Sequence, residues 1–155
     1  MPTARLKGHV RVLETPTRTN VIAMAAPSHG RGVYTEAQVK DLLETALAAF
    51  TGAREESRTA GCARCVVHTG PWGTGAFGGN AVLIALVQML AAEMSGIDAL
   101  AYATVDARGM RAVDEAKATL ESWREASAAD ASIPFPRLVR RIVKLDLRWG
   151  RGNGT

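Results

Sequence analysis

The sequence predicts an α/β fold with a mainly parallel sheet flanked by helices. Three observations carry that expectation. Short apolar runs of strand length alternate with stretches whose apolar residues fall at helical spacing. One of those stretches opens with a capping box. A glycine-rich loop joins a short apolar run to the longest apolar helix pattern, the strand–loop–helix order of a parallel unit.

The 155 residues are read as one domain, 1–155, with 1–8 and 150–155 as flexible tails. Hydrophobic content of 47% and charged content of 22% fit a soluble globular protein. A net charge of +4 favours small anionic ligands. Nucleic acid is not expected: aromatics are 5% of the chain, and no basic and aromatic residues interleave as a stacking platform would need. Cys62 and Cys65 form a single CxxC. A zinc site needs a second pair, and Cys65 enters a strand rather than opening a helix, so packing is expected and neither a metal nor a cofactor. The longest apolar pattern, Ala81 to Met94, is interrupted by Gln88 and Glu93, so no membrane span is expected and a cytoplasmic protein is.

Taken in order, His9 to Leu13 alternates like a short edge strand. Asn20 to Ala26 is an apolar run stopped by Pro27 and reads as a buried strand. Pro27 to Gly32 is a loop carrying Ser28, His29 and Arg31. Thr35 and Gln38 form the capping box, Tyr34 and Val39 a hydrophobic staple, and Val39, Leu42, Leu43, Ala46, Leu47 and Phe50 one helical face. Gly52 to Gly61 is polar, a loop or a frayed helix end. Arg64 to Thr69 is the next strand. After the glycine loop, Ala81 to Met94 is a buried helix stopped by Gly96. Ala99 to Val105 is a strand that closes at Asp106. Met110, Val113, Leu120 and Trp123 mark another helix. In Arg137 to Trp149 the first half has helical spacing and the second half alternates, so periodicity alone leaves both open.

The candidate site is the stretch His68 to Asn80. Glycines bring backbone amides close to a ligand, and the following helix adds partial positive charge, which together suit a phosphate or diphosphate. Gly73, Gly75 and Gly78 satisfy G-x-G-x-x-G, but Gly70, Pro71 and Trp72 intervene after the strand and no suitably placed acid follows, unlike a dinucleotide fold. No Gly-Lys-Ser/Thr follows, which excludes a Walker loop. In a parallel sheet ligands gather at the C-terminal strand ends, where Pro27–Gly32, Gly70–Gly79 and Asp106–Gly109 fall.

The full string Thr69-Gly70-Pro71-Trp72-Gly73-Thr74-Gly75-Ala76-Phe77-Gly78-Gly79-Asn80 resembles the glycine loop of the poly(ADP-ribose) glycohydrolases, a branch of the macrodomains, with Thr74 in place of cysteine and Asn80 in place of aspartate. The strand at Val21 to Ala26, the helices on either side of the loop, the strand Ala99 to Asp106 and the segment Pro136 to Trp149 are similar to the family's order of elements, although only the loop is specific. The resemblance implies a truncated macrodomain-like three-layer sandwich. It also implies that Gly73, Thr74, Gly75, Ala76, Phe77, Gly78, Gly79 and Asn80 bind the diphosphate of ADP-ribose. Phe77 is expected to pack as core rather than close over the ligand.

The departures bear on chemistry. The family's catalytic Gly-Gly-Gly and Gln-Glu-Glu element has no counterpart in this sequence, its ribose-positioning aromatic is matched by Thr104, and its strand-end aspartate by Ala25. Hydrolysis or transfer at a ribosyl bond needs a carboxylate beside an oxocarbenium-like carbon. Asp106 is the first candidate, with His29 behind it. His68, in a strand, is expected to be packed. Two alternatives stay open: a non-catalytic ADP-ribose-binding module, and a subunit whose exposed sheet edge is completed by another chain or a homodimer.

Overall fold

The computed structural model describes residues 15, 20–27, 30–126 and 133–150. Among them are four helices and two strands. Their order is α1 (Glu36–Thr59), β1 (Val66–Thr69), α2 (Ala81–Ser95), β2 (Ala99–Tyr102), α3 (Ala107–Ala126) and α4 (Phe135–Val143). The fold is α/β, as the sequence predicts, with its two strands parallel.

α1 begins where the capping box places it. The Gln38 amide donates to Thr35 Oγ1 at 3.3 Å, and the Thr35 amide to Gln38 Oε1 at 3.0 Å. The staple partners Tyr34 and Val39 are both buried. The helix runs on through Gly52 to Thr59, past the expected frayed end. The added turns are solvated, with Arg58 paired to Glu55 at 3.0 Å, and Gly61 reverses the chain with φ of 72°.

α2 is the central element. Eight of its residues from Leu83 to Ala91 are buried, and it packs against α1 on one side and α3 on another. Its apolar pattern on most sides is the signature of a helix with no solvent face. Gly96 ends it in the left-handed conformation, φ 68°. α4 packs on α1. The C-terminal ambiguity resolves in favour of both periods: helix to Val143, then an extended stretch that bridges Arg148 antiparallel to Val33.

β1 and β2 pair in parallel, Val66 opposite Ala99 through Thr69 opposite Tyr102. Val67, Leu100 and Tyr102 pack toward the core, while Val66 and His68 are exposed on the other face. His68 is therefore a solvated side chain, not the packed one expected. Cys62 is exposed and Cys65 buried, and both are free thiols.

Two expectations change. Asn20 to Ala26 joins no ladder among the described residues: Val21 is 76% exposed, and only Met24 of its large side chains reaches the core. An apolar run announces burial, but most of this one faces solvent. β2 is shorter than the apolar run, ending at Tyr102 with Val105 exposed, because its pairing with β1 ends there. His9 to Leu13 lies outside the described residues.

Candidate functional site

The glycine loop hangs from a buried amide. Gln88, fully buried in α2, donates to the carbonyls of Gly70 at 3.1 Å and Ile84 at 3.2 Å, and accepts from the Thr69 hydroxyl. Both ends of its amide are satisfied, as burial of a polar group demands. The residue that reads in sequence as an interruption of an apolar helix is the peg that fixes the end of β1 and the start of the loop.

Inside the loop, the Thr74 amide and hydroxyl both donate to the Pro71 carbonyl, at 3.2 and 2.9 Å. The Gly79 amide donates to the Gly73 carbonyl at 2.9 Å, and the Gly78 amide to Gly75 at 3.0 Å. These bonds require glycine at defined places. Gly73 has φ of 71°, and a Cβ there would sit 2.4 Å from Pro27 Cδ; one at Gly79 would sit 2.7 Å from the Gly73 carbonyl oxygen.

Asn80 closes the loop and opens α2. Its Oδ1 accepts from the amides of Val82 at 3.0 Å and Leu83 at 3.1 Å, and its own amide donates to Tyr34 Oη at 2.9 Å. Burial pushes the Tyr34 hydroxyl pKa up, and the bond to Asn80 partly offsets this. The first-turn donors of α2 at Val82 and Leu83 are thus already taken, and so are the amides of Gly78, Gly79 and Asn80. Among the described residues, the amides of Gly73, Gly75 and Ala76 make no hydrogen bond within the chain. The loop divides into a locked second half and an apex with free donors. Phe77, expected to pack inward, is 40% exposed at that apex.

β2 leaves the sheet beside the loop. The Ala103 amide donates to the Thr69 carbonyl at 2.9 Å, so Gly70–Gly79 and Ala103–Asp106 depart from the same C-terminal edge. Asp106 is exposed, and its Oδ1 accepts from the Gly109 amide at 2.7 Å, which caps α3. Burial pushes Tyr102, one residue before this exit, up to about 12. His29 lies outside the described residues.

A cavity of about 260 Å³ adjoins the loop at Trp72 and Pro27, with Asp41 and Thr45 of α1 and Trp149 on its walls. The glycines from 73 to 79 do not line it. Asp41 is the one acid among the described residues that line it. The Trp72 Nε1 is buried without an acceptor among the described residues. Sequence reasoning passed over Asp41 and Trp149. Asp41 lies next to the buried Leu42 on α1 and reads as solvated face, and Trp149 reads only as one beat of an alternating segment. No cluster of acids, histidines and cysteines suited to a metal occurs among the described residues, and no helix there is long and apolar enough to cross a membrane.

Residues 7–112 match the family model described as Poly (ADP-ribose) glycohydrolase (PARG), Macro domain fold. No curated protein matches the chain.

Proposed function

The chain belongs to the poly(ADP-ribose) glycohydrolase family of macrodomain fold, and from that premise we propose that its glycine loop holds the diphosphate of an ADP-ribosyl or NAD-derived nucleotide and that the site hydrolyses or transfers at the ribosyl glycosidic bond. One observation carries the binding step. The amides of Gly73, Gly75 and Ala76, without a partner among the described residues, lie on the loop that follows the C-terminal end of a parallel strand, and the other half of that loop is already bonded into the fold. Amides held in place and unpartnered are suited to phosphate oxygens, because no internal bond must break when the anion arrives.

For the chemical step the candidate carboxylates are Asp106, beyond β2, and Asp41, in the adjoining cavity. Asp106 spends one oxygen on the Gly109 amide and keeps the other for a substrate or water. A second reading, a non-catalytic ADP-ribose-binding module, is favoured by that same bond, since helix capping alone accounts for an aspartate at this position.

Calorimetry with ADP-ribose and with NAD, followed by product analysis, separates them. Binding that Gly75→Val weakens by about tenfold or more, on the scale of one or two charge-assisted bonds, supports the loop's role. Turnover lost in Asp106→Asn or Asp41→Asn identifies the acid, and binding without turnover leaves the module. Unchanged affinity in Gly75→Val removes the loop from the site.

A further inference from the structure

Residues 147–150 lie beyond the segment that matches the family, yet they hold the glycine loop by three routes. The Gly150 amide donates to the Gly78 carbonyl at 2.8 Å. The Asn80 side-chain amide donates to the Arg148 carbonyl at 2.9 Å. Trp149 stacks on Tyr34, ring centroids 4.3 Å apart and planes 18° from parallel, and Tyr34 Oη in turn takes the Asn80 backbone amide.

This strap is itself well held. The Tyr34 amide donates to the Leu147 carbonyl at 3.1 Å and the Trp149 amide to the Gly32 carbonyl at 2.9 Å. Gly30 lies flat against the indole: a Cβ there would come within 2.1 Å of the ring. Asp146, at φ 52°, turns the chain out of the last helical residues and into the strap, a conformation that aspartate tolerates better than most residues.

We propose that Tyr34 and Trp149 are positioning residues for the diphosphate loop, through a C-terminal strap that fixes Gly78–Asn80 before any ligand arrives. This rests on the reading of the loop as a diphosphate site. A glycine-rich segment loses more conformational freedom on ordering than any other, and that loss opposes binding. Ordering it in advance transfers the cost from binding to folding. The strap reaches the locked half of the loop, so its effect on a ligand passes through the spacing of the Gly73, Gly75 and Ala76 amides.

The test compares wild type, Tyr34→Phe, Trp149→Ala, Trp149→Phe and Gly75→Val by amide hydrogen exchange at residues 78–80 and by ADP-ribose calorimetry. Tyr34→Phe removes one hydroxyl and keeps the stacked ring, so it preserves the fold even if Trp149→Ala does not. It should speed Asn80 exchange and weaken ADP-ribose, each by about tenfold, the scale of one lost hydrogen bond, while exchange in β1 stays at wild-type values. Trp149→Phe, which keeps a stacked ring, should recover most of what Trp149→Ala loses. Wild-type affinity in Tyr34→Phe alongside weakened Gly75→Val overturns the strap's role and leaves the site standing, as does faster exchange with unchanged affinity. No uptake of ADP-ribose by the wild type overturns both.

Discussion

Asn80→Ala tests whether the loop and α2 are joined as the geometry says. The substitution deletes the Oδ1 that accepts from Val82 and Leu83 and the Nδ2 that donates to the Arg148 carbonyl. Loss of an N-cap costs about 0.5–2 kcal/mol. The bond to Arg148 is exposed and adds about 0.5 kcal/mol, the low end for a neutral pair. The sum is roughly 1–2.5 kcal/mol, or a fall of roughly 2–10 °C in Tm for a chain of this size. Asn80→Asp is the sharper companion. It keeps the cap oxygen and adds a negative charge at a helix N-terminus, worth about 0.3–1 kcal/mol. It also places a carboxylate oxygen against the Arg148 carbonyl, where a donor stood. The two terms oppose, so Asn80→Asp should lie within about 1 kcal/mol of wild type and above Asn80→Ala. Urea unfolding at pH 7 with a common slope measures all three. Asn80→Ala within about 0.3 kcal/mol of wild type, below even the weakest cap, would refute the cap and with it the reason why the loop ends where it does.

Three further outcomes follow from the same contacts. Gln88→Leu leaves the partly buried Thr69 hydroxyl without its acceptor and takes from the Gly70 carbonyl one of its two donors, the Trp72 amide remaining, and should cost roughly 1–3 kcal/mol in urea unfolding; a variant as stable as wild type would mean the peg is dispensable. Gly73→Ala meets a left-handed φ and the Pro27 ring together, so a loss of at least about 1–2 kcal/mol is expected by thermal unfolding, with none if the loop reshapes freely. Tyr102 is held neutral by burial, its folded pKa of about 12 lying above its ordinary value of 10.0. Its contribution to stability is therefore complete below pH 10 and lost as the pH rises toward 12, so Tyr102→Phe should flatten that alkaline decline in a pH series of melting curves; an identical decline would exclude it.

What was legible in the sequence was whatever rests on neighbouring residues. The Thr35–Gln38 box, the Tyr34–Val39 staple and the Gly96 stop are all formed within a few positions of chain, and all stand where the spacing puts them. The apolar run at Asn20–Ala26 failed for the opposite reason. Its state depends on a partner backbone remote in sequence, and composition says nothing about whether one is present. Gln88 and Trp149 were seen but misjudged in weight, because their roles come from what they touch 18 residues and 111 or more residues away. Spacing identifies a helix face or a turn; it does not say which polar residue in a buried helix is an anchor.

The division of the loop also changes what a glycine motif can be taken to mean. A string of glycines before a helix suggests that every amide in it, and the helix terminus too, is offered to a phosphate. Here Val82 and Leu83 at the helix terminus donate to the Asn80 side chain, and Gly78, Gly79 and Asn80 donate within the fold, so those glycines and that asparagine serve the loop's shape. At the apex, among the described residues, the amides of Gly73, Gly75 and Ala76 are left over, beside an exposed Phe77. Substitutions in the two halves should therefore differ in kind. Those at Gly79 or Asn80 should be read first in unfolding, because they break internal bonds, while Gly75→Val should be read first in ligand affinity. A loop that bound nothing would have no reason to separate these two phenotypes, since every glycine in it would answer only to the geometry of a turn.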